Sequence, residues 1–337
     1  MPATLQDVMN SVIRPLPDSA GFSRRIAAGS NSSRLTDTFY AVEEIRRMRG
    51  GSQSHLMRCS DGNHYVVKFQ NNPQHRRILV NEMLGTRLAA LLGLPTTEIA
   101  IIDVSKELIR LTPGLNMETQ WTSIPCQAGL QFGSRYPGDP HHLTVHDLLS
   151  DKQVLTARNL SDFLGMLVFD SWTGNTDGRQ VIFGRHDGVA PYQVWMIDQG
   201  FCFNSGEWNF PDSPRRNLYS RKVVYKQVRG IESFEPWLAK LESEIGLQVL
   251  WDIAETIPPE WYGFDSDSLH SLLEQLDARR CRVREFLFSS RRASPQAFPN
   301  WTDQNRTQGE NHHASQNNAD VVALSRSDHH GICSRPD

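Results

Sequence analysis

The chain has 337 residues, of which 39% are apolar and 9% aromatic, enough for two domains or one two-lobed unit with a real core. Charged residues make up 22% and the net charge is −3, a near balance that argues against a protein built mainly to grip nucleic acid or an anionic membrane. The five cysteines (Cys59, Cys126, Cys202, Cys281 and Cys333) are odd in number and lack metal-ligand spacing. A reduced, cytoplasmic chain with no signal peptide and no membrane span is therefore expected.

Residues 1–36 are polar and rich in small residues, and read as a loose arm. "FYAVEEIRRM" reads as a strand and "GGSQS" as a turn, and "HLMRC" and "HYVVKFQ" form a hairpin around "SDGN". The clearest helix is "NNPQHRRILVNEMLGTRLAALLGL". Its apolar positions Ile78, Leu79, Met83, Leu84, Leu88, Leu91 and Leu92 recur at three and four, and Gly93 and Pro95 end it. "TTEIAIIDV" and "CQAGLQF" read as further strands, followed by a seam near Gln131–Pro140.

From about Leu143 the pattern turns helical. "NLSDFLGMLVFDSW" is an amphipathic helix with Asn159 or Ser161 as its cap. The loop "TGNTDGRQ" follows, and then a hairpin of "VIFGR" and "YQVWMID" with an Asp-Gly turn. Beyond Glu232 the chain reads as helical, and after Ser290 a tail too poor in apolar residues to order itself is expected. The layout predicts an α+β fold: a β-rich small lobe over 37–134, a helical large lobe over 135–290, and a disordered tail over 291–337.

Two sets of residues could carry chemistry. In the front half, Lys68 lies on the third strand and Glu82 on the next helix. A lysine so placed reaches nucleotide phosphates, and the glutamate holds it. The backbone N–H groups of Gly50, Gly51, Ser52 and Gln53 can approach phosphate oxygens where glycine leaves room. In the back half, Asp177 sits in a loop after a helix, and Asp198 at a strand end beyond a hairpin. Taken singly, each is an ordinary turn, strand-edge lysine, solvated glutamate or strand-end acid. Their order is the order of protein kinases, in which the first acid takes the proton of the hydroxyl nucleophile and the second holds the metal on the phosphates.

With these residues in view, the chain resembles the HipA-like kinase family, a branch of the protein-kinase-like fold related to phosphatidylinositol kinases. The matching stretches are "GGSQ", "YVVKF", "NEMLGTRLA", "GNTDGRQVIF", "MIDQGFCFN" and "GEWNFPDSPRRNLY", spanning roughly residues 40–290. The resemblance implies a bilobal serine/threonine kinase that uses ATP and Mg2+. By position it makes Lys68 the nucleotide lysine, Glu82 its partner, Asp177 the catalytic acid and Asp198 the main magnesium ligand. "LQFGSRYPG" would lie near the adenine. The best-known relatives are toxins of toxin–antitoxin pairs, which implies an antitoxin-like regulator besides a protein substrate. No direct nucleic-acid binding is expected.

One departure concerns the metal. The position five residues after Asp177, where kinases carry a metal-binding Asn, is Ile182. Gln180 is therefore assigned the second metal contact. A small-molecule kinase and a pseudokinase acting as a nucleotide- or partner-binding module are the rival readings. His141, His142 and His146 read as surface histidines, and His329, His330 and Cys333 as inert tail residues. The segment "GEWNFPDSPRRNLY", with Arg215 and Arg216, is either a packed loop or a substrate segment.

Overall fold

A computed structural model describes residues 36–302, apart from 141, 142, 186–190, 212 and 214. The arm, most of the tail with His329, His330 and Cys333, the Asp-Gly turn, and His141 and His142 lie outside the described residues.

Five strands close into a barrel, β1 (Thr38–Arg47), β2 (His55–Cys59), β3 (His64–Lys68), β4 (Ile99–Val104) and β7 (Gly129–Arg135), in the order β1-β2-β3-β7-β4. Strand β3 shows why the chain is extended here: Tyr65 and Val67 point into the barrel, while His64 and Val66 are half-buried. Met57, Val67, Ile102 and Val104 fill the interior. Between β4 and β7 the chain adds a short helix, α2 (Lys106–Leu111), and a small hairpin, β5 (Asn116–Glu118) with β6 (Ser123–Pro125). Helix α2 is capped by Ser105 Oγ, which accepts from the Leu108 N–H.

Helix α1 (Ile78–Leu91) follows the expected period, yet its polar side is buried too, including Asn81, Glu82 and Thr86. It packs against both β7 and the helical half, so its polar face meets protein rather than water.

The expectation of helix from Leu143 needs correction. Thr144–His146 forms strand β8, which pairs with β9 (Gln180–Arg185), and β9 pairs with β10 (Gln193–Ile197). The β-branched Thr144 and Val145 complete a three-stranded sheet that the sequence indicated only as a hairpin. The expected seam also starts too early. Gln131 lies inside β7 and is fully buried, and the barrel ends at Arg135.

Helix α3 (Asp151–Val154) starts at a Ser150/Gln153 capping box. Helix α4 (Asp162–Thr173) is buried along its length. Ser161 makes no cap bond there, and Asn159 instead donates to Asp162 and to the Val194 carbonyl. Helices α5 (Glu235–Glu244), α6 (Leu247–Ala254), α7 (Ser266–Arg280) and α8 (Val283–Ala293) complete the helical half. Order continues beyond the expected boundary at Ser290. Phe298 and Trp301 are buried, Trp301 packs against Phe234, and the Thr302 N–H donates to the Arg229 carbonyl. Two aromatics are enough to hold a segment whose average composition is polar. Among the described residues, no helix is long and apolar enough to cross a membrane.

Candidate active site

Lys68 is the last residue of β3, and its side chain is 9% exposed. Its ammonium lies 2.5 Å from Glu82 Oε1 on α1 and 3.0 Å from Asp198 Oδ1, just past β10. Glu82 has two further donors, the N–H groups of Gln199 at 3.1 Å and Gly200 at 2.9 Å. Burial works against the Lys68 charge, but the two carboxylates outweigh it and hold the ammonium protonated. Burial raises the Glu82 carboxyl well above the usual carboxylate range, against the opposing pull of Lys68. Burial would raise Asp198 as well, but Lys68 outweighs it and its carboxyl sits below its ordinary value. Asp198 has φ +59°, a left-handed conformation that Asp tolerates better than most residues. Gly85 lets α1 approach this turn, because a Cβ there would lie 2.7 Å from Gln199 Cβ.

Asp177 lies in the loop between α4 and β9. Its N–H donates to Asn175 Oδ1 at 3.1 Å, and its Oδ1 accepts from the Gly178 N–H at 2.8 Å. Gln180 Nε2 donates to Asp177 Oδ2 at 3.1 Å. Gln180 opens β9 opposite Ile197, the residue before Asp198, so one hairpin carries both acids at the same end. Ile182 faces Trp195 across the sheet and is 8% exposed, so the position of the usual Asn is filled by an apolar strand residue.

The glycine turn differs from expectation at one residue. Gly50 has φ +118°, which only glycine adopts readily, and Gly50 and Gly51 are exposed. Gln53 is not free for a phosphate. Its N–H donates to the Gly50 carbonyl within the turn, and its side chain is bonded to Arg47 and to both backbone groups of Glu118. Ser52 is buried, and its carbonyl accepts from Asn72 Nδ2.

Of the stretch Leu130–Gly138, expected beside the adenine, only Arg135–Gly138 lines a cavity of about 500 Å3, together with Asp139, His64, Thr97 and Trp195, and none of Lys68, Asp177 and Asp198 lines it. His146 packs edge-on against Tyr192. In the segment after Asp198, Trp208 is buried and donates from Nε1 to Asn81 Oδ1, with Arg77 stacked on its ring. Arg215 donates to the Ala293 carbonyl.

Four buried polar residues escaped sequence reasoning. Asn81 Nδ2 lies within hydrogen-bonding distance of the carbonyls of Gly200, Cys202 and Ser205, and so ties α1 to the turn after Asp198. Asp170 and Arg179 form a buried ion pair, and Gln199 accepts from Arg179. The available signal was an acid inside an apolar helix, Asp170 in "GMLVFDSW", since a charge on a buried face requires a partner.

A family model described as HipA-like kinase matches residues 41–199, from β1 to the residue after Asp198. No curated protein matches the chain. Among solved structures, the Helicobacter pylori proinflammatory kinase CtkA is similar with a TM-score of 0.50 at 15% identity, covering 76% of this chain and 98% of that one. The Golgi casein kinase with Mn and ADP bound has a TM-score of 0.46 at 10% identity, over 77% of this chain and 74% of that one. A chain of the Shewanella oneidensis MR-1 toxin–antitoxin complex of HipA, HipB and operator DNA has 0.44 at 12%, over 74% and 68%. Residues 41–199 thus match the HipA-like kinase family in sequence, and the fold, β-rich in its first half and helical in its second, is similar to that of the bilobal kinase CtkA.

Proposed function

We propose that this protein transfers the γ-phosphoryl group of ATP, with Mg2+, to a serine or threonine hydroxyl of a protein substrate. The observation that carries this reading is the bridge of Lys68 between Glu82 and Asp198, with Asp177 on the same hairpin as Asp198. Phosphoryl transfer asks the protein mainly to position groups and to offset charge. Lys68 supplies a fixed positive charge for the phosphates. Glu82 holds its ammonium in place and also caps the backbone around Asp198. Asp177 orients the acceptor hydroxyl and takes its proton.

The residues fit a hard cation of the magnesium type. Among the described residues no group of three His, Cys, Asp or Glu side chains could hold a metal. Magnesium is ordinarily held by one or two carboxylates with substrate phosphates and water completing its shell. Asp198 would hold it, and the Gln180 amide oxygen would add a weaker contact while its nitrogen donates to Asp177. When bound, the ion offsets phosphate charge beside the Asp198 carboxylate.

The buried Ile182 favours one second reading, a pseudokinase that binds nucleotide without turnover. Incubation of the purified protein with ATP and Mg2+, alone and with candidate proteins, followed by intact mass, tests both. Addition of a phosphate to this chain or to a candidate supports the kinase. ATP binding with no phosphate transferred to any of them supports the pseudokinase. The regulator is proposed to be antitoxin-like on the family resemblance alone, and co-purification of a second chain tests it.

A further inference from the structure

We propose that Asp170 and Arg179 are positioning residues that together set the separation of Asp177 and Asp198. This rests on the phosphoryl-transfer reading above. Both side chains are 1% exposed, so neither is placed to touch a substrate.

Asp170 lies on the last turns of α4 and Arg179 just before β9. Arg179 presents Nε and Nη2 to the two carboxylate oxygens of Asp170. Its Nη1 donates to the Ile197 carbonyl at 3.0 Å and to Gln199 Oε1 at 2.9 Å. Asp170 Oδ1 also accepts from Asn175 Nδ2 at 3.1 Å, and Asn175 Oδ1 in turn accepts from the Asp177 N–H.

The pattern in the chain is specific. Asp170 holds Asn175 and Arg179, which flank Asp177 two residues to either side. Arg179 holds Ile197 and Gln199, which flank Asp198 one residue to either side. The Gln199 N–H then bonds Glu82, which bonds Lys68, which returns to Asp198. One buried carboxylate therefore braces both acids, and the network ends on the nucleotide lysine.

Stability alone does not account for the pair. A buried ion pair pays a desolvation cost that its attraction often fails to recover, and apolar residues of similar volume commonly serve as well or better. The planar guanidinium offers what they lack, a fixed fork of donors that locks four acceptors into one geometry. Positional error is costly in this chemistry, since a displacement of about 1 Å can lower a rate by ~100-fold.

The test compares wild type, Arg179→Lys, and the double variant Asp170→Leu/Arg179→Met. Each is measured for melting temperature, ATP affinity by calorimetry at saturating Mg2+, and kcat and KM for ATP. The double variant leaves no unpaired buried charge, so it should still fold, though with a lower melting temperature because Asn175 Nδ2, the Ile197 carbonyl and Gln199 Oε1 lose these partners. Its kcat should fall by ~100-fold while KM for ATP changes only a few-fold. Arg179→Lys keeps the charge but loses the fork, and its kcat should fall in the same way. It also decides the matter if the double variant does not fold. Wild-type kcat in either folded variant overturns the proposal, as does a loss of ATP affinity proportional to the loss of rate. A wild-type protein that transfers no phosphate overturns the kinase reading together with this one, whereas an active wild type with equally active variants overturns this one alone.

Discussion

Lys68 Nζ lies 3.0 Å from Asp198 Oδ1, although 130 residues separate the two in the chain. The same ammonium is 2.5 Å from Glu82 Oε1 on α1. One side chain from the barrel thus joins the first long helix to the end of the β9–β10 hairpin. The partners lie on three different elements, a barrel strand, a helix and the end of a hairpin, and their side chains are largely buried.

Replacing Lys68 with Ala should weaken ATP binding by at least ~10-fold, since a hydrogen bond to a charged group contributes about 1.5–3 kcal/mol. It also leaves Glu82 and Asp198 without the charge between them. Glu82→Ala should weaken binding less, because Glu82 only orients the lysine. Calorimetry with ATP and Mg2+ orders the two. Equal affinity in wild type and Lys68→Ala would remove Lys68 from the site.

Asp177→Asn should lower the rate of phosphoryl transfer by ~100-fold or more, the usual worth of a positioned general base. ATP affinity should stay near wild type, because the base acts on the nucleophile and not on bound nucleotide. The amide can still accept from the Gly178 N–H, so the loop keeps that contact. If ATP binding is lost as well, Asp177 is a structural residue or a metal ligand.

Asp198→Ala should lose magnesium-dependent ATP binding, and Gln180→Ala should need more Mg2+ to reach the same rate. A magnesium titration of each variant separates the roles. Superimposed curves for Gln180→Ala and wild type would restrict Gln180 to its hydrogen bond with Asp177. Unchanged ATP affinity in Asp198→Ala at saturating Mg2+ would favour the pseudokinase.

The Glu82 carboxyl is pushed up to about 7 by burial, so it is ionised above that value and protonated below it. Only the ionised form holds Lys68, and kcat/KM for ATP should fall as pH drops through this region. Folding stability responds with the opposite sign. A group whose folded pKa is raised contributes stability that is present at low pH and lost as pH rises through the folded value. Glu82→Gln should remove this acid limb from the activity profile. A limb that stays in place in Glu82→Gln would assign it to another group.

The sequence by itself determined the elements that carry local patterns. The hairpin pattern around "SDGN" placed Lys68 on a strand, the three-four period placed Glu82 on a long helix, and turn residues set Asp177 and Asp198 at one end of a hairpin. Each of these signals is local in the chain. Tertiary structure alone decided what depends on distant partners. Thr144–His146 is a strand because Gly184 and Arg185 lie beside it. Order reaches Thr302 because Phe298 and Trp301 find a buried place. The Gln53 side chain is held in place because the β5 strand, sixty-five residues on, bonds its amide. Asp170 and Arg179 reveal their role only once α4 and the hairpin are packed together, because a buried charge is defined by the group that faces it, and sequence order does not say which group that is.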